Sequence, residues 1–235
     1  MTIATEAGPL IDDELDVLSS LVPLADQRII ELGCGAAQLA RSLLVSHPGS
    51  VVTALEVDTR QHAKNLAEPQ AGLTFVAAGA QAIPEPDASF DLALMLKSLH
   101  HVPRPLMATA LSEAARVLRP GGHLYVSEPV YAGPFNDLIR LFNDEGIVRA
   151  AAQQALDDAL RTGAWEQVAE RRFDMPVRFR SFEDFEQRMM HQTFADHAVN
   201  DTQLAAVRRA FEPHCASDGA RFMRPMHVRL LCRRG

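Results

Sequence analysis

Short apolar segments alternate with amphipathic segments along the first half of this 235-residue chain, and that alternation restricts the fold more than any other feature. Apolar and β-branched runs that end at turn-forming residues indicate buried strands. Such runs are RIIEL, VVTALEV, LTFVAA, FDLALML and HLYVSEPV. Strands that alternate with helices form crossover units around a mostly parallel sheet. Residues 28–130 therefore predict a doubly wound α/β domain.

The segments between these strands have apolar residues at helical spacing. Helices are expected in AAQLARSLLVSH, in TRQHAKNLAE with Thr59 as its N-cap, and in RPLMATALSEAARVL. Before the first strand, IDDELDVLSSLV has helical apolar spacing and an acidic outer face, and Pro23 ends that helix.

The pattern changes after Pro134. The segment up to Glu170 predicts one or two amphipathic helices, and its apolar residues suit both a core and the wall of a ligand pocket. Further on, RRFDMPVRFRS predicts a strand, SFEDFEQRMMHQ a helix that opens with Ser181 and Asp184, DTQLAAVRRAFEPH a helix, and HVRLLCRR a strand.

The composition excludes several classes of protein. Hydrophobic residues make up 47% and charged residues 23% of the chain, which is typical of a globular protein. No apolar run of about 18 residues predicts a membrane span, and the acidic N-terminus does not resemble a signal peptide. Three widely spaced cysteines predict no disulfide framework and suit a reducing cytoplasm.

The charge balance argues against a nucleic-acid partner. The formal net charge is −7, whereas proteins that bind nucleic acid present a basic face. A basic bias occurs near the end of the chain, where a solvated strand edge is favoured over an RNA contact. The residues of that bias are Arg221, Arg224, Arg229, Arg233 and Arg234.

The turn after the first strand, in IIELGCGAAQLA, has the features of a ligand-binding loop. Gly33 and Gly35 allow a sharp turn and a close approach of backbone to ligand. The dinucleotide pattern fails because its sixth position is Gln38, and the loop has no phosphate-binding lysine. Glu31 would repel a phosphate and attract a cationic amine. The loop thus predicts a nucleoside ligand that carries a positive group and no phosphate.

A second carboxylate supports this interpretation. Glu56 ends the second strand, 23 residues after Gly33. An acidic residue at about this distance, at the tip of the neighbouring strand, accepts hydrogen bonds from ribose hydroxyls.

These segments together resemble the class I S-adenosylmethionine-dependent methyltransferases of the small-molecule type. The resemblance is carried by IIELGCGAAQLA, VTALEVD, FVAAGAQAIPEPDASFDLALMLKSLHHV and RVLRPGGHLYVSEP, and it covers about half of the chain. It implies that S-adenosylmethionine is the methyl donor. It also implies a set of cofactor-binding residues, namely Glu31, Gly33, Cys34, Gly35, Glu56, Val57, Ala80 and Gln81.

Within that set, the resemblance places Glu31 by the amino-acid end of the cofactor, Glu56 at the ribose, and Ala80 and Gln81 at the adenine. The chain departs from the family pattern at two positions. Gly79 stands where many relatives have Asp, which leaves adenine recognition to backbone amides and Gln81. Ala37 stands where a third glycine is usual, and we expect it to adopt helical angles and only pack the helix.

The resemblance implies a Rossmann-like, doubly wound, mostly parallel seven-stranded sheet with an added helical lid. Four parts are expected along the chain. Residues 1–27 form a helix that covers the site, 28–133 the cofactor-binding core, 134–170 the lid, and 171–235 the part that completes the sheet. A lid of this kind favours a small-molecule acceptor over a macromolecule.

Methyl transfer from a sulfonium needs alignment more than it needs catalytic groups, and it needs a base only when the acceptor is protonated. The catalytic candidates beyond the fourth strand are Lys97, His100 and His101, with Lys97 either pairing with a substrate carboxylate or reaching solvent. Glu128 and Tyr131 follow the fifth strand. Weaker candidates in the late helical region are His191, Asp196 and His197. Adjacent histidines are expected to point in different directions, so no metal site is predicted.

The sequence predicts a cytoplasmic methyltransferase, monomeric or homodimeric, with the acceptor atom (O, N, S or C) left open. Three alternatives remain at this point: an RNA or protein methyltransferase, a non-catalytic S-adenosylmethionine-binding protein, and a nucleotide-dependent oxidoreductase on a similar sheet. The failed dinucleotide pattern argues against the oxidoreductase, and the acidic charge balance argues against RNA.

Overall fold

The computed structural model describes residues 8–191 and 199–235, and it confirms the predicted α/β class. An eight-stranded sheet has the order β3-β2-β1-β4-β5-β8-β6, and the two-residue strand β7 pairs with β8. The strands are β1 (Arg28–Leu32), β2 (Val51–Leu55), β3 (Leu73–Val76), β4 (Phe90–Leu96), β5 (Leu118–Pro129), β6 (Trp165–Phe179), β7 (Cys215–Ala216) and β8 (Gly219–Arg233).

The first five strands pair in parallel, as the sequence predicts. The strand order reverses between β1 and β4, which are adjacent in the sheet although two strands separate them along the chain. In their registers Glu31 of β1 lies opposite Leu94 of β4 and Ala54 of β2. Ligands of open α/β sheets bind beyond the carboxyl ends of the strands at such a reversal. The loops after β1, β2 and β4 are therefore the place to look for a site.

Eight α-helices accompany the strands within the described ranges. They are α1 (Glu14–Leu21), α2 (Gln38–Ser46), α3 (Thr59–Ala67), α4 (Met107–Val117), α5 (Gly133–Ile139), α6 (Gly146–Arg161), α7 (Phe182–Met189) and α8 (Asp201–Phe211). Short 3₁₀ turns occur at Leu99–His101, Arg104–Leu106 and Glu212–His214.

The helix caps follow side-chain chemistry. Ser181 caps α7 by accepting from the Asp184 amide, as predicted. The predicted cap of α3 is wrong by one residue. Asp58 has extended backbone angles and its carboxylate accepts from the Arg60 amide, whereas Thr59 lies inside the first turn.

The segment Trp165–Glu170 was predicted as helix and is the first part of β6. The helix α6 ends at Arg161, and Gly163 follows with φ +81°, a left-handed angle that glycine adopts without strain. Trp165 is buried in the core, and exposed and covered residues alternate after it. Because the alternating residues include Glu and Gln, the sequence resembles an amphipathic helix as much as a strand.

The chain forms two compact units, each with its own core. The sheet unit comprises residues 13–128, 148–171 and 227–235. The C-terminal unit comprises residues 129–147 and 172–226 with the described residues before position 13. Aliphatic residues of the sheet and its helices fill the core of the sheet unit. Aromatic rings dominate the other core, namely Phe135, Phe179, Phe182, Phe185, Phe211 and Phe222.

The predicted lid, residues 134–170, is divided between these units. Its part up to Ile147 lies in the C-terminal unit, and the part from Val148 lies in the sheet unit. Phe135 and Leu138 are buried, as expected of core residues, whereas Ile147 is exposed. A covering role for this segment stays a prediction.

Nowhere in the described ranges does a helix have both the length and the apolar character needed to cross a bilayer.

The arginines near the end of the chain are bound to neighbours in their own unit. Arg229 lies 2.8 Å from the Asp157 carboxylate and Arg234 lies 3.5 Å from that of Glu166. Arg221 pairs with Asp218, and Arg224 stacks over the ring of Phe135. Arg233 donates to the Leu118 carbonyl. These contacts favour the structural interpretation of the basic bias.

Candidate functional site

The loop after β1 is tied to the end of β2. The amides of Gly33 and Cys34 donate to the Leu55 carbonyl at 3.0 and 2.9 Å. The Gly35 amide donates to Oε2 of Glu56 at 2.8 Å. Three successive amide groups are therefore satisfied by protein oxygens, so the loop is fixed without a phosphate.

The two glycines of this loop have different surroundings. Gly33 has φ +77°, and a Cβ added there would lie 2.9 Å from Cβ of Ser98. Gly35 has φ +53°, and a Cβ added there would meet no described atom within 4 Å. Gly33 is needed for packing against the loop after β4, and Gly35 is the position where a ligand can approach the backbone.

Ala37 does not have the helical angles that the sequence predicts for it. It is the N-cap of α2, with φ +53° and ψ +34°, and its side chain is fully buried. A non-glycine residue in this left-handed conformation costs about 1–2 kcal/mol. Burial of its methyl group offsets about 0.8 kcal/mol of that cost. The third loop position therefore has the backbone angle of a glycine and the side chain of an alanine.

Glu31 is a buried carboxylate at the end of β1. Its Oε2 atom has no hydrogen-bond partner among the described residues. Burial raises the pKa of Glu31 from 4.5 to about 8; Lys97 opposes this shift, and Glu14 and Glu56 add to it. A buried carboxylate with an unsatisfied oxygen is costly for the fold, so it marks a position where a ligand cation would be favourable.

Glu56 is held at the tip of β2 by two backbone amides. Besides the bond from Gly35, its Oε1 accepts from the Asp58 amide at 2.8 Å. The next residue, Val57, leaves 66% of its surface exposed. A fixed carboxylate beside an exposed apolar side chain suits a ligand with hydroxyl groups next to a flat apolar part.

The predicted adenine region is arranged around Gly79. Ala80 is buried and Gln81 is half-buried. The side-chain amide of Gln81 folds back over Gly79, because both its Nε2 and its Oε1 lie 2.6 Å from where a Cβ on Gly79 would be. Gln81 thus fills the space that a side chain at position 79 would take.

Lys97 pairs with a residue that the sequence did not single out. Its Nζ lies 2.9 Å from Oε2 of Glu14, which is buried and belongs to α1. Glu14 also accepts from the hydroxyl of Tyr125 at 3.4 Å. Burial, and then Glu14, raises the pKa of Tyr125. No pattern in the sequence distinguishes Glu14, since it lies in a run of acidic residues predicted to face outward.

His100 and Glu128 form a buried pair. Nδ1 of His100 pairs with Oε2 of Glu128, and Oε1 of Glu128 accepts from the Leu99 amide at 2.9 Å. The expectation that His101 points away from His100 is wrong. The two ring centroids are 4.1 Å apart. Glu128 therefore faces His100, and it fixes the ring of that histidine.

Two further contacts complete the loop. Cys34 is buried, and burial followed by the nearby Glu31 raises its thiol pKa, so it is not poised as a nucleophile. Nδ2 of Asn65 in α3 donates to the Gly35 carbonyl at 2.7 Å. Asn65 was not predicted as part of the site, because nothing in a helix of mixed polar residues distinguishes it.

The remaining candidates lie elsewhere. The hydroxyl of Tyr131 donates to Asp144 at 2.9 Å within the C-terminal unit. His191 is exposed, with Nε2 at 3.7 Å from a carboxylate oxygen of Glu186. Asp196 and His197, which the sequence offers as weaker candidates, lie outside the described residues.

Known proteins and domains resemble part of this chain. Residues 30–126 match the model of a methyltransferase domain. The chain is 35% identical over 118 residues to 27-O-demethylrifamycin SV methyltransferase of Amycolatopsis mediterranei, a match that covers 48% of this chain and 43% of that protein. It is 32% identical over 127 residues to the ubiquinone biosynthesis O-methyltransferase of Ralstonia nicotianae, covering 52% of this chain and 50% of that one. The chain thus spans about half the length of these relatives.

A solved structure agrees with the fold. An S-adenosylmethionine-dependent methyltransferase from Methanosarcina mazei has a TM-score of 0.60 and 15% sequence identity, and the match covers 95% of this chain and 99% of that chain. At that identity the likeness shows the fold alone.

Proposed function

From the match of residues 30–126 to a methyltransferase domain, we propose that the chain is a class I S-adenosylmethionine-dependent methyltransferase. In this proposal it transfers a methyl group from S-adenosylmethionine to a hydroxyl oxygen of a small organic acceptor. The observation that carries the proposal is the unpartnered, buried carboxylate oxygen of Glu31. It lies in the strand next to the fixed carboxylate of Glu56, at the reversal of the strand order.

The residues present fit S-adenosylmethionine better than a dinucleotide. A pyrophosphate needs free amides at the loop, and Glu56 already takes the amide of Gly35. The ionised form of Glu31 would repel the phosphates in addition. The ammonium group of a sulfonium nucleoside would be the positively charged partner that the Glu31 oxygen lacks.

In this proposal Glu31 accepts a hydrogen bond from the α-ammonium of the cofactor. Gly35 gives the backbone room for close approach, and Glu56 accepts from the ribose hydroxyls on lone pairs that its two amide bonds leave available. Val57 and Gln81 are proposed to bind the adenine. Gln81 takes the place of the acidic side chain that many relatives have two positions earlier in the chain.

The bound cofactor supplies an activated methyl group on a positively charged sulfur. The work left to the chain is to align the acceptor and to remove its proton. A hydroxyl is a weak nucleophile until it loses that proton, and His100 is the group proposed to take it. Glu128 holds Nδ1 of His100 in the protonated tautomer, so the basic lone pair is on Nε2.

Glu128 would also stabilise the imidazolium that forms when His100 accepts the proton, as a carboxylate does in other histidine pairs. The relative from Ralstonia nicotianae is named an O-methyltransferase, and the one from Amycolatopsis mediterranei is named a methyltransferase of 27-O-demethylrifamycin SV. Both names support oxygen as the acceptor atom. His101, whose ring lies beside that of His100, is proposed to line the same region.

Cofactor binding and turnover test the proposal separately. Calorimetric titration should show micromolar to submillimolar binding of S-adenosylmethionine and S-adenosylhomocysteine and no binding of NADH. Incubation with isotopically labelled cofactor and a panel of phenolic, aliphatic and carboxylic acceptors should transfer label to one class. Binding without transfer would support a cofactor-binding protein instead, and no binding at millimolar concentration would contradict the proposal as a whole.

The proposed cellular compartment and oligomeric state are those that the sequence predicts. All three cysteines are free, which supports a reducing compartment such as the cytoplasm. A monomeric or homodimeric state is retained as a proposal, and light scattering of the purified chain would measure it.

A further inference from the structure

We propose that the ammonium group of Lys97 binds the α-carboxylate of S-adenosylmethionine, so that Lys97 and Glu31 together recognise the zwitterionic end of the cofactor. This inference rests on the proposed function and adds a residue for which the family resemblance assigns no cofactor contact.

The backbone puts Lys97 beside the glycine loop. Lys97 directly follows β4, the strand that pairs with β1 and so with Glu31. Its neighbour Ser98 donates from Oγ to the Leu32 carbonyl at 2.7 Å. The same Ser98 fills the space in front of Gly33. The loops after β1 and β4 are therefore in direct contact at the residues that flank Glu31 and Lys97.

The backbone of Lys97 is held in an unusual conformation. Its φ is +56°, a left-handed angle that lysine adopts rarely, and its amide donates to the Ser127 carbonyl at 2.7 Å. Strain of this kind persists where the surrounding structure imposes it, and it concentrates at ligand sites. The conformation fixes where the long side chain begins.

The charges around Glu31 leave one place for a ligand carboxylate. Of the charged groups that act on Glu31, Glu14 from α1 and Glu56 after β2 are acidic, and Lys97 is the cation. Tyr125 of β5 bonds to Glu14 and keeps its proton, because burial raises its pKa. A ligand that carries both an ammonium and a carboxylate would place the ammonium at Glu31 and its carboxylate at Lys97.

Lys97 also has the hydrogen-bonding capacity to spare. An ammonium group has three donors. In the described structure, the hydrogen bond from Nζ to Glu14 is the one that Lys97 makes through its side chain. The side chain is about one-third exposed, at 33%, so a ligand can reach it. Glu14 keeps the ammonium in position while the other donors remain available for a carboxylate.

The experiment compares a cofactor that lacks the α-carboxylate with a protein variant that lacks the Lys97 charge. Wild type and Lys97→Met are titrated by calorimetry with S-adenosylmethionine and with decarboxylated S-adenosylmethionine. We expect Lys97→Met to weaken binding of the intact cofactor at least tenfold, the size of a lost charge-assisted hydrogen bond. Binding of the decarboxylated form should weaken much less, because that ligand has no group for Lys97 to bind and loses only the support that Lys97 gives to the ionised form of Glu31.

Three controls make the result specific. Lys64→Met removes the other lysine of the chain, an exposed residue of α3, and should leave both affinities unchanged. Lys97→Asn removes the charge with a residue that tolerates left-handed angles, so it serves if Lys97→Met does not fold. Thermal unfolding of each variant reports whether the fold is retained.

The outcomes separate this inference from the proposed function. Equal losses for both ligands, or no loss for either, would overturn the role of Lys97 while the wild type still binds the cofactor. An unchanged cofactor affinity with a raised KM for an acidic acceptor would assign Lys97 to the acceptor instead. Failure of the wild type to bind either ligand would overturn the proposed function itself.

Discussion

The amide nitrogen of Gly35 lies 2.8 Å from Oε2 of Glu56, so the tip of β2 holds the loop that follows β1. One carboxylate thereby has two tasks, because it shapes the loop and, in the proposed function, binds the ribose. Substitutions at Glu56 should affect the loop and the ligand together, whereas substitutions at Gly35 should affect the ligand far more than the fold.

Replacement of Glu56 by alanine should weaken S-adenosylmethionine binding at least tenfold. The variant loses the acceptor for the ribose hydroxyls and leaves the Gly35 and Asp58 amides without their partner, at a cost of about 1–3 kcal/mol for an unsatisfied group. Calorimetry measures the dissociation constant. The matched control is Glu68→Ala, an exposed acidic residue after α3. Equal affinities of Glu56→Ala and wild type would remove Glu56 from the site.

The two loop glycines should respond differently to alanine. Gly35→Ala introduces a methyl group that meets no described atom, so it should cost about 1 kcal/mol of backbone strain and still abolish cofactor binding. Gly33→Ala places its Cβ 2.9 Å from Cβ of Ser98, so it should destabilise the fold by about 1–3 kcal/mol beyond that strain. Urea unfolding and calorimetry on both variants check this. Wild-type affinity in Gly35→Ala would exclude a close approach of ligand to that residue.

Cofactor binding should release a proton from Glu31. Its pKa is about 8 in the free protein, so at pH 7 the carboxyl is mostly protonated and must ionise to bind an ammonium group. Calorimetry at pH 7 in two buffers with different ionisation enthalpies measures the protons released, and up to one is expected. The Glu31→Gln variant should release none and should bind the cofactor at least tenfold more weakly. Proton release that persists in Glu31→Gln would assign it to another group.

The same residue should make stability depend on pH. Between pH 4.5 and about 8 the folded protein keeps the Glu31 proton that the unfolded chain loses, so the contribution of Glu31 to the free energy of unfolding falls as pH rises through that range. Glu31→Gln lacks this dependence. It should match wild type near pH 4.5 and should be more stable than wild type by about 4 kcal/mol at pH 8, the size that the raised pKa of Glu31 implies. Denaturant unfolding at both pH values would measure this difference in stability, and a variant that is less stable than wild type at pH 8 would contradict burial as the cause of the raised pKa.

Replacement of His100 by asparagine should lower kcat by about 10²–10⁴, the usual contribution of a general base. The affinity for S-adenosylmethionine should stay within about twofold, since His100 is not assigned to the cofactor. Glu128→Gln is the companion variant, and it should lower kcat with the cofactor affinity retained. A wild-type kcat in His100→Asn would indicate that the pair of His100 and Glu128 has only a structural role.

Sequence reasoning located the strands well because their chemistry is local. The segments RIIEL and FDLALML are continuous apolar runs between turn residues, and β1 and β4 have the same bounds. The position of the α3 cap was missed by one residue because Asp58 and Thr59 are both good caps, and only the backbone angles decide between them.

Motifs in the sequence indicate some residues of the candidate site, and tertiary packing adds others that the sequence does not indicate. Glu31, Gly35 and Glu56 follow from the glycine loop and the strand ends. Glu14 and Asn65 were missed, because each is a polar residue on a helix that tertiary packing turns inward. The partner of Lys97 and that of His100 lie 83 and 28 residues away along the chain, distances over which a sequence pattern carries no signal.

Ala37 separates a geometric requirement from a residue preference. The third position of the loop has the left-handed angle although it carries a methyl group. Glycine at that position therefore lowers the backbone strain of the turn, but the turn also forms when the residue carries a Cβ atom. A motif search that insists on three glycines would pass over this chain, and over any other chain that meets the same angle with alanine.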